Sequence, residues 1–450
     1  MHVHQFYDEG LSHASYAVLS ENEIALVDPA RDPQPYYDFA KKRRAKIVAV
    51  IETHPHADFV SGHLEIHRKT GATIYTSKLA GAEYPHEPFD DGMRIRVGDV
   101  FLKAYNTPGH SPDSISVTLE SKTGKTVGVF TGDTLFIGDV GRPDLRENVG
   151  KIQSKREELA RALYDSTRNI LMKLPPEAAV YPAHGAGSLC GKSLSEKLLS
   201  TIGEQLEENP ALQAMTEDEF VAYLLSGQPF IPKYFSYNVE LNKKGAQGYL
   251  ESLERISPED LNGRNLQGAL IVDTRPGKQF KNGHRRGAIN IPDDEKFETW
   301  LGAILAPGEE FYLIAEDHED LKTVISKTAK IGYEQFIKGA YLWDGVAEEK
   351  SPKFDMNDYI RNHPKYTTID VRNSTERDEP LINGSLFIPL PELRDRLDEI
   401  PVDKPVAVHC AGGYRSAIAA SIIEDALRGK TLVYDIGEAV RKLNVEKDKE

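Results

Sequence analysis

The chain has 450 residues, enough for about three domains of ordinary size, and 40% hydrophobic with 28% charged side chains is the balance of a globular protein. This excludes a chain that is disordered, collagenous or coiled throughout, and a formal net charge of −15 disfavours nucleic-acid and anionic-membrane partners. Two cysteines, Cys190 and Cys410, are too few for a disulfide framework and suit a reducing compartment. No apolar run approaches the ~20 residues of a membrane span, and residues 1–8 hold no apolar leader core, so a cytoplasmic location is expected.

In chain order, the first 250 residues alternate strand-like and helix-like runs. Lys46-Ile47-Val48-Ala49-Val50-Ile51 predicts a buried strand, as do Lys125-Thr126-Val127-Gly128-Val129-Phe130 and Ala178-Ala179-Val180-Tyr181. Residues 157–174 carry Leu159, Leu163, Ile170 and Leu174 at helical spacing. An α/β layered fold follows. Two polar stretches, one around Lys243-Lys244-Gly245 and one at Glu348-Glu349-Lys350-Ser351-Pro352-Lys353, mark boundaries and give domains over 1–250, 255–350 and 355–450. The last two read as a repeat. Val272-Asp273-Thr274-Arg275 and Ile369-Asp370-Val371-Arg372 both end a short apolar strand in Asp-x-Arg. Ile291-Pro292 and Ile388-Pro389 follow at the same offset of 97 residues.

Chemistry-bearing residues in the first domain follow its strands. Thr53-His54-Pro55-His56-Ala57-Asp58-Phe59 comes after Ile51, and Pro108-Gly109-His110, Thr131-Gly132-Asp133-Thr134 and Pro182-Ala183-His184-Gly185 come after later strands. Strand-end loops of α/β folds converge on one crevice, and imidazoles with carboxylates there suit a transition metal. The order His-x-His-x-Asp, Pro-Gly-His, Thr-Gly-Asp-Thr-Leu-Phe, Pro-Ala-His-Gly resembles the metallo-β-lactamase fold in its glyoxalase II-like branch. The resemblance implies an αββα sandwich with the site along one edge. Glyoxalase II-type hydrolases carry His-x-His-x-Asp-His and two metals, whereas Phe59 stands at the last position here. The similar persulfide dioxygenase branch holds one iron. Its resemblance implies His54, His110 and Asp133 as ligands, with open positions for sulfur and dioxygen, and His56, Asp58 and His184 as groups that orient them. Gly138-Asp139-Val140-Gly141-Arg142-Pro143-Asp144 is similar to that branch's Gly-Arg-x-Asp signature, which implies that Arg142 holds an anionic group of the thiol carrier. Cys190, six residues after His184, is expected near the mouth of the site, as a sulfur relay or as lining.

In the last domain a strand, Val406-Ala407-Val408-His409, leads into Cys410-Ala411-Gly412-Gly413-Tyr414-Arg415-Ser416 and a helix-like run. Paired glycines let backbone N–H groups turn toward the sulfur, and a helix N-terminus and Arg415 add positive potential, so the thiolate is favoured. The pattern resembles a rhodanese and implies a persulfide carried on Cys410. Ile382-Asn383-Gly384 replaces the usual Gly-His-Ile. The middle copy has Glu316 about where the cysteine belongs, in Ile314-Ala315-Glu316-Asp317-His318, and is expected to be inert in sulfur transfer.

The three-part order resembles bacterial persulfide dioxygenase–rhodanese fusions. It implies oxidation of a low-molecular-weight thiol persulfide by O2 at one Fe(II) per chain, sulfite as product, and thiosulfate when the rhodanese adds sulfur, as in sulfide detoxification. The alternative is a zinc-dependent acyl-thiol thioesterase, since imidazole and carboxylate also suit zinc. A homo-oligomer is expected.

Overall fold

The structure, a computed structural model, describes residues 1–145, 152–261, 264–294, 296–378 and 381–441, so the last nine residues of the expected third domain lie outside the described ones. The chain forms two compact units, Met1–Ser252 with Ala329–Gly332, and Leu253–Thr328 with Tyr333–Glu450. None of the described helices is long and apolar enough to cross a membrane.

The first unit holds two six-stranded sheets. One contains β1 (His2–Asp8), β2 (His13–Ser20), β3 (Glu23–Val27), β4 (Lys46–Ile51), β5 (Thr73–Thr76) and β6 (Glu87–Pro88), side by side in that order. The other contains β7 (Arg94–Val97), β8 (Val100–Asn106), β9 (Ile115–Glu120), β10 (Thr126–Gly132), β11 (Ala179–Pro182) and β12 (Ser200–Thr201), again neighbour to neighbour. Alternation along the strands explains the layering. Ala25, Val27, Ala49 and Ile51 face Leu102, Ala104, Val117, Leu119 and Phe130 in a core between the sheets. The residues between them, Ile24, Leu26 and Val50, pack outward on Tyr36 and Phe39 of the helix Gln34–Arg43. On the far side Val129 and Val180 meet Ala160 and Leu163 of the helix Ile152–Asn169 and Phe220 of Glu217–Leu225. Two sheets faced by helices on both sides make the αββα sandwich. Each large inward side chain contributes about 1.5–3 kcal/mol by burial. The helix predicted over 157–174 ends at Asn169, and Leu171–Lys173 continues as a 3₁₀ turn, so Leu174 lies outside the helical stripe.

The second unit holds two parallel sheets. In one, β13 (Pro258–Asp260), β14 (Ile271–Asp273), β15 (Ala288–Asn290), β16 (Phe311–Ala315) and β17 (Ile337–Leu342) take the order β13-β17-β16-β14-β15. In the other, β18 (Thr367–Asp370), β19 (Leu386–Phe387), β20 (Val406–His409) and β21 (Val433–Asp435) take the order β19-β18-β20-β21. Four consecutive strands follow one spatial order in both. The Asp-x-Arg motifs also match: Arg275 closes its fork on Asp273 at 2.6 Å and Arg372 on Asp370 at 2.7 Å, all four buried. Glu316 follows β16 as Cys410 follows β20, so the repeat seen in the sequence is a repeat in space.

Candidate metal centre and thiolate cradle

The loops after β4, β8, β10 and β11 bring the predicted residues of the first domain together. One donor atom from each of His54, His110 and Asp133 lies within 4.8 Å of the others, and all three residues are buried. Asp133 Oδ2 is 3.5 Å from His110 Nε2 and 3.9 Å from His54 Nε2, and no hydrogen-bond donor among the described residues reaches it. A buried carboxylate oxygen without a donor, facing two imidazole nitrogens across more than hydrogen-bond distance, fits a cation placed among them. Burial alone would raise the Asp133 carboxyl, but His184, His110 and His54 outweigh it and hold it well below the usual range.

The tautomer of His54 is fixed from behind. Asp28 accepts from the Thr53 backbone N–H at 2.7 Å and from its hydroxyl at 2.9 Å. With its proton committed to Asp28, Thr53 Oγ1 accepts from His54 Nδ1 at 3.1 Å, which leaves Nε2 as the lone-pair nitrogen toward Asp133. His56 does not join this triad. Its ring lies 4.2 Å from that of His54, but its Nε2 is turned to Asp28 Oδ1 at 3.1 Å. Gly141 makes the arrangement possible: a Cβ there would lie 1.9 Å from the Asp133 carbonyl oxygen and 2.9 Å from His110 Nδ1, so only glycine lets this loop close over both.

Asp58 and His184 lie side by side. His184 Nδ1 is 2.8 Å from Asp133 Oδ1 and its Nε2 is 2.6 Å from Asp58 Oδ2. Burial opposes the charged ring, yet the two carboxylates together hold His184 well above its ordinary value. Phe59 fills the space where another imidazole would stand. It is buried, with its ring centroid 3.8 Å from His13 and 4.4 Å from His56. His13 is the residue that sequence reasoning missed here. It sits in an apolar strand, and burial with His184 and His56 nearby depresses it to about 3. The signal was a histidine in an otherwise apolar strand, but its neighbours lie far along the chain.

Two expectations need correction. Cys190 does not stand at an open mouth: it is buried, within 4.8 Å of donors from Asp58 and His184, and burial with the Asp58 and Asp133 carboxylates nearby raises its thiol well above the ordinary value. Arg142 is not an open anion fork. It is 2% exposed, bidentate to Asp144 at 2.6 and 2.7 Å, and donates to the carbonyls of Leu189 and Pro229. Those bonds occupy both edges of the guanidinium and make it a brace for its own loop.

Cys410 lies at the end of β20, where Gly413 adopts φ +106° and donates its N–H to Sγ at 3.1 Å. The helix Tyr414–Ala426 begins at the next residue and points its N-terminus at the sulfur loop. The Arg415 fork lies on Glu376 at 2.5 and 3.1 Å, so its charge is shared with that carboxylate beside the sulfur loop.

The metallo-beta-lactamase superfamily description matches residues 8–184, and the rhodanese-like domain description matches residues 356–440. The crystal structure of a metallo-beta-lactamase from Staphylococcus aureus subsp. aureus COL superposes with a TM-score of 0.69 at 34% identity, covering 76% of this chain and 99% of that one. The cytoplasmic hydroxyacylglutathione hydrolase of Arabidopsis thaliana is 31% identical over 174 residues, 38% of this chain and 62% of its own length, so the chain spans less than two thirds of it. The mitochondrial persulfide dioxygenase ETHE1 of Homo sapiens is 29% identical over 213 residues, 47% of this chain and 74% of its own length. The sandwich and the parallel sheet that carries Cys410 agree with these matches: the chain belongs to the metallo-β-lactamase superfamily and carries a rhodanese-like domain at its C-terminal end.

Proposed function

We propose that the chain oxidises a low-molecular-weight thiol persulfide to sulfite and passes sulfane sulfur through Cys410 to form thiosulfate. The three parts are 1–250, 255–350 and 355–450, the middle one inert in sulfur transfer. The balance of the first half is RSSH + O2 + H2O → RSH + SO3²⁻ + 2H⁺. The second is Cys–S–S⁻ + SO3²⁻ → Cys–S⁻ + S2O3²⁻. A single iron held by His54, His110 and Asp133 would supply open positions for the sulfur and for dioxygen. The chain's own residues do the rest. Thr53 and Asp28 orient His54, Gly141 lets the 138–145 loop seal the centre, and His184 bridges Asp58 and Asp133 and holds both carboxylates in place. Cys410 holds the transferred sulfur against the Gly413 N–H and the helix terminus.

The observation that carries the reading is Phe59, an apolar ring where a two-metal hydrolase needs a donor, in a chain that also carries a rhodanese cysteine. One observation favours the zinc thioesterase: Asp58, His184 and Cys190 form a second donor group within 4.8 Å. Against it, both His184 nitrogens face carboxylates and the Cys190 sulfur is buried. Metal content and oxygen uptake separate the two. Anaerobically purified protein is expected to bind one iron per chain and to consume O2 on glutathione persulfide. Two tightly held zinc ions with thioester hydrolysis and no oxygen uptake would replace this reading with the hydrolase.

A further inference from the structure

The stretch between β4 and the helix His63–Thr70 carries His54, His56, Asp58 and Phe59. It has no regular secondary structure, yet residues 52–62 are all buried. Water does not serve its backbone N–H and C=O groups, so they need partners from elsewhere in the fold. One side chain supplies three of them. Asn242, on the last turn of the helix Phe235–Lys244, is 2% exposed. Its Nδ2 donates to the His56 carbonyl at 2.9 Å and to the Phe59 carbonyl at 2.8 Å, and its Oδ1 accepts from the Ser61 N–H at 2.8 Å. The intervening Val60 N–H donates at 2.8 Å to the carbonyl of Lys330, in the segment Ala329–Gly332 that belongs with the first unit. That segment is anchored in turn: Lys330 pairs with Asp8 at 2.7 Å, and the Tyr237 hydroxyl donates to the Gly332 carbonyl at 3.2 Å.

The two carbonyls held by Nδ2 lie three residues apart, so a single amide fixes both ends of the turn that contains Asp58 and begins two residues after His54. An amide suits this place because it offers two N–H donors and an acceptor in one plane, whereas a carboxylate of the same shape offers acceptors only. Asn242 lies well beyond residue 184, where the metallo-beta-lactamase match ends, and at the edge of a polar stretch that reads as a boundary in the sequence. We infer that Asn242 is a positioning residue for the metal centre, holding the ligand loop in the shape that turns His54 toward Asp133 and keeps Phe59 in the space of a further donor. The inference rests on the metal-centre part of the reading above. Asn242 acts through the loop; it moves no proton and takes no covalent part.

The test uses the full-length protein, freed of metal and titrated anaerobically with Fe(II) against a competing chelator. Asn242→Asp is expected to bind Fe(II) about 10–100-fold more weakly than the wild type, the usual cost of losing a group that orients a metal ligand. Its Co(II) form should show a shifted visible spectrum. Asn242→Ser, which keeps one hydroxyl, should lose less. Leu224→Ala, in the core on the far side of the second sheet, controls for stability: it should unfold at lower denaturant and bind Fe(II) like the wild type. Sulfur transfer from thiosulfate to cyanide should persist throughout, since Cys410 lies in the other unit. If Asn242→Asp loses that activity too, it has not folded, and Asn242→Ser carries the test. A second readout needs no metal: amide hydrogen exchange over residues 53–62 should be several-fold faster in Asn242→Asp, with β9 exchanging at the wild-type rate. A wild type that binds no Fe(II) would bring down the metal-centre reading, and loop exchange would then decide the inference alone. Wild-type binding with unchanged affinity or unchanged loop exchange in Asn242→Asp, or an affinity loss equalled by Leu224→Ala, would overturn the inference and leave that reading standing.

Discussion

The two parallel sheets share the order of four strands, a buried Asp-x-Arg pair and an Ile-Pro turn, yet β20 leads into Cys410 and its counterpart β16 into Glu316. The framework is therefore separable from the chemistry. What differs is the loop after the strand. Around Cys410 it has paired glycines, an N–H on the sulfur and a helix start; around Glu316 it has Asp317 accepting from the N–H groups of Glu319 and Asp320. In the middle copy the backbone donors that could cradle an anion are spent on a local carboxylate, so losing the cysteine is only part of the disarming.

The largest effect should come from Cys410→Ser, which is expected to abolish sulfur transfer from thiosulfate to cyanide, because a serine oxygen carries no sulfane sulfur. Glu316→Ala should leave the rate unchanged. Equal losses in the two variants would erase the distinction between the copies. Next comes the shared framework. Asp273→Asn and Asp370→Asn each leave a buried guanidinium without its partner, so each should cost about 3–5 kcal/mol in denaturant unfolding. A near-zero cost in one sheet would show that the repeat is formal and not energetic.

A smaller effect separates the sheets by pH. His409, where the middle copy has Ala315, is depressed to about 4 by burial, with Arg372 adding to it against the pull of Asp370. The unfolded chain takes up this proton near pH 6.5 and the folded chain only near 4, so stability falls as pH drops through that window. The loss should reach about 3 kcal/mol and be absent in His409→Gln. Parallel pH profiles for wild type and variant between 6.5 and 4 would remove His409 from the account. The smallest effect is expected from Cys410→Ser/Glu316→Cys, which should recover no measurable transfer, since the middle loop offers the new sulfur no free N–H cradle. Recovery would mean that the cysteine alone was missing.

Local pattern explains what was legible in the sequence. Lys46–Ile51 and Val406–His409 are strands over the residues expected of them, because a short apolar run between turn residues has few other options. The strand-end histidines and Asp133 were legible because each follows its strand within a few residues. The rest depends on partners distant in sequence. Asp28 reaches Thr53 and His56 from another strand, Phe59 stacks on His13, and Arg394 finds Glu309 across two sheets. Arg142 and Arg415 show the same limit at short range. A motif names a guanidinium, and only the closed loop shows that Asp144 and Glu376 already occupy it.

Product partition under limiting glutathione persulfide tests most directly whether one chain oxidises and transfers the same sulfur. Oxygen uptake, sulfite and thiosulfate would be measured together for the wild type and for Cys410→Ser, both iron-loaded. The account predicts equal oxygen uptake in the two proteins, with thiosulfate formed by the wild type and sulfite alone released by the variant. Absence of oxygen uptake in both, or an unchanged thiosulfate yield in Cys410→Ser, would contradict it.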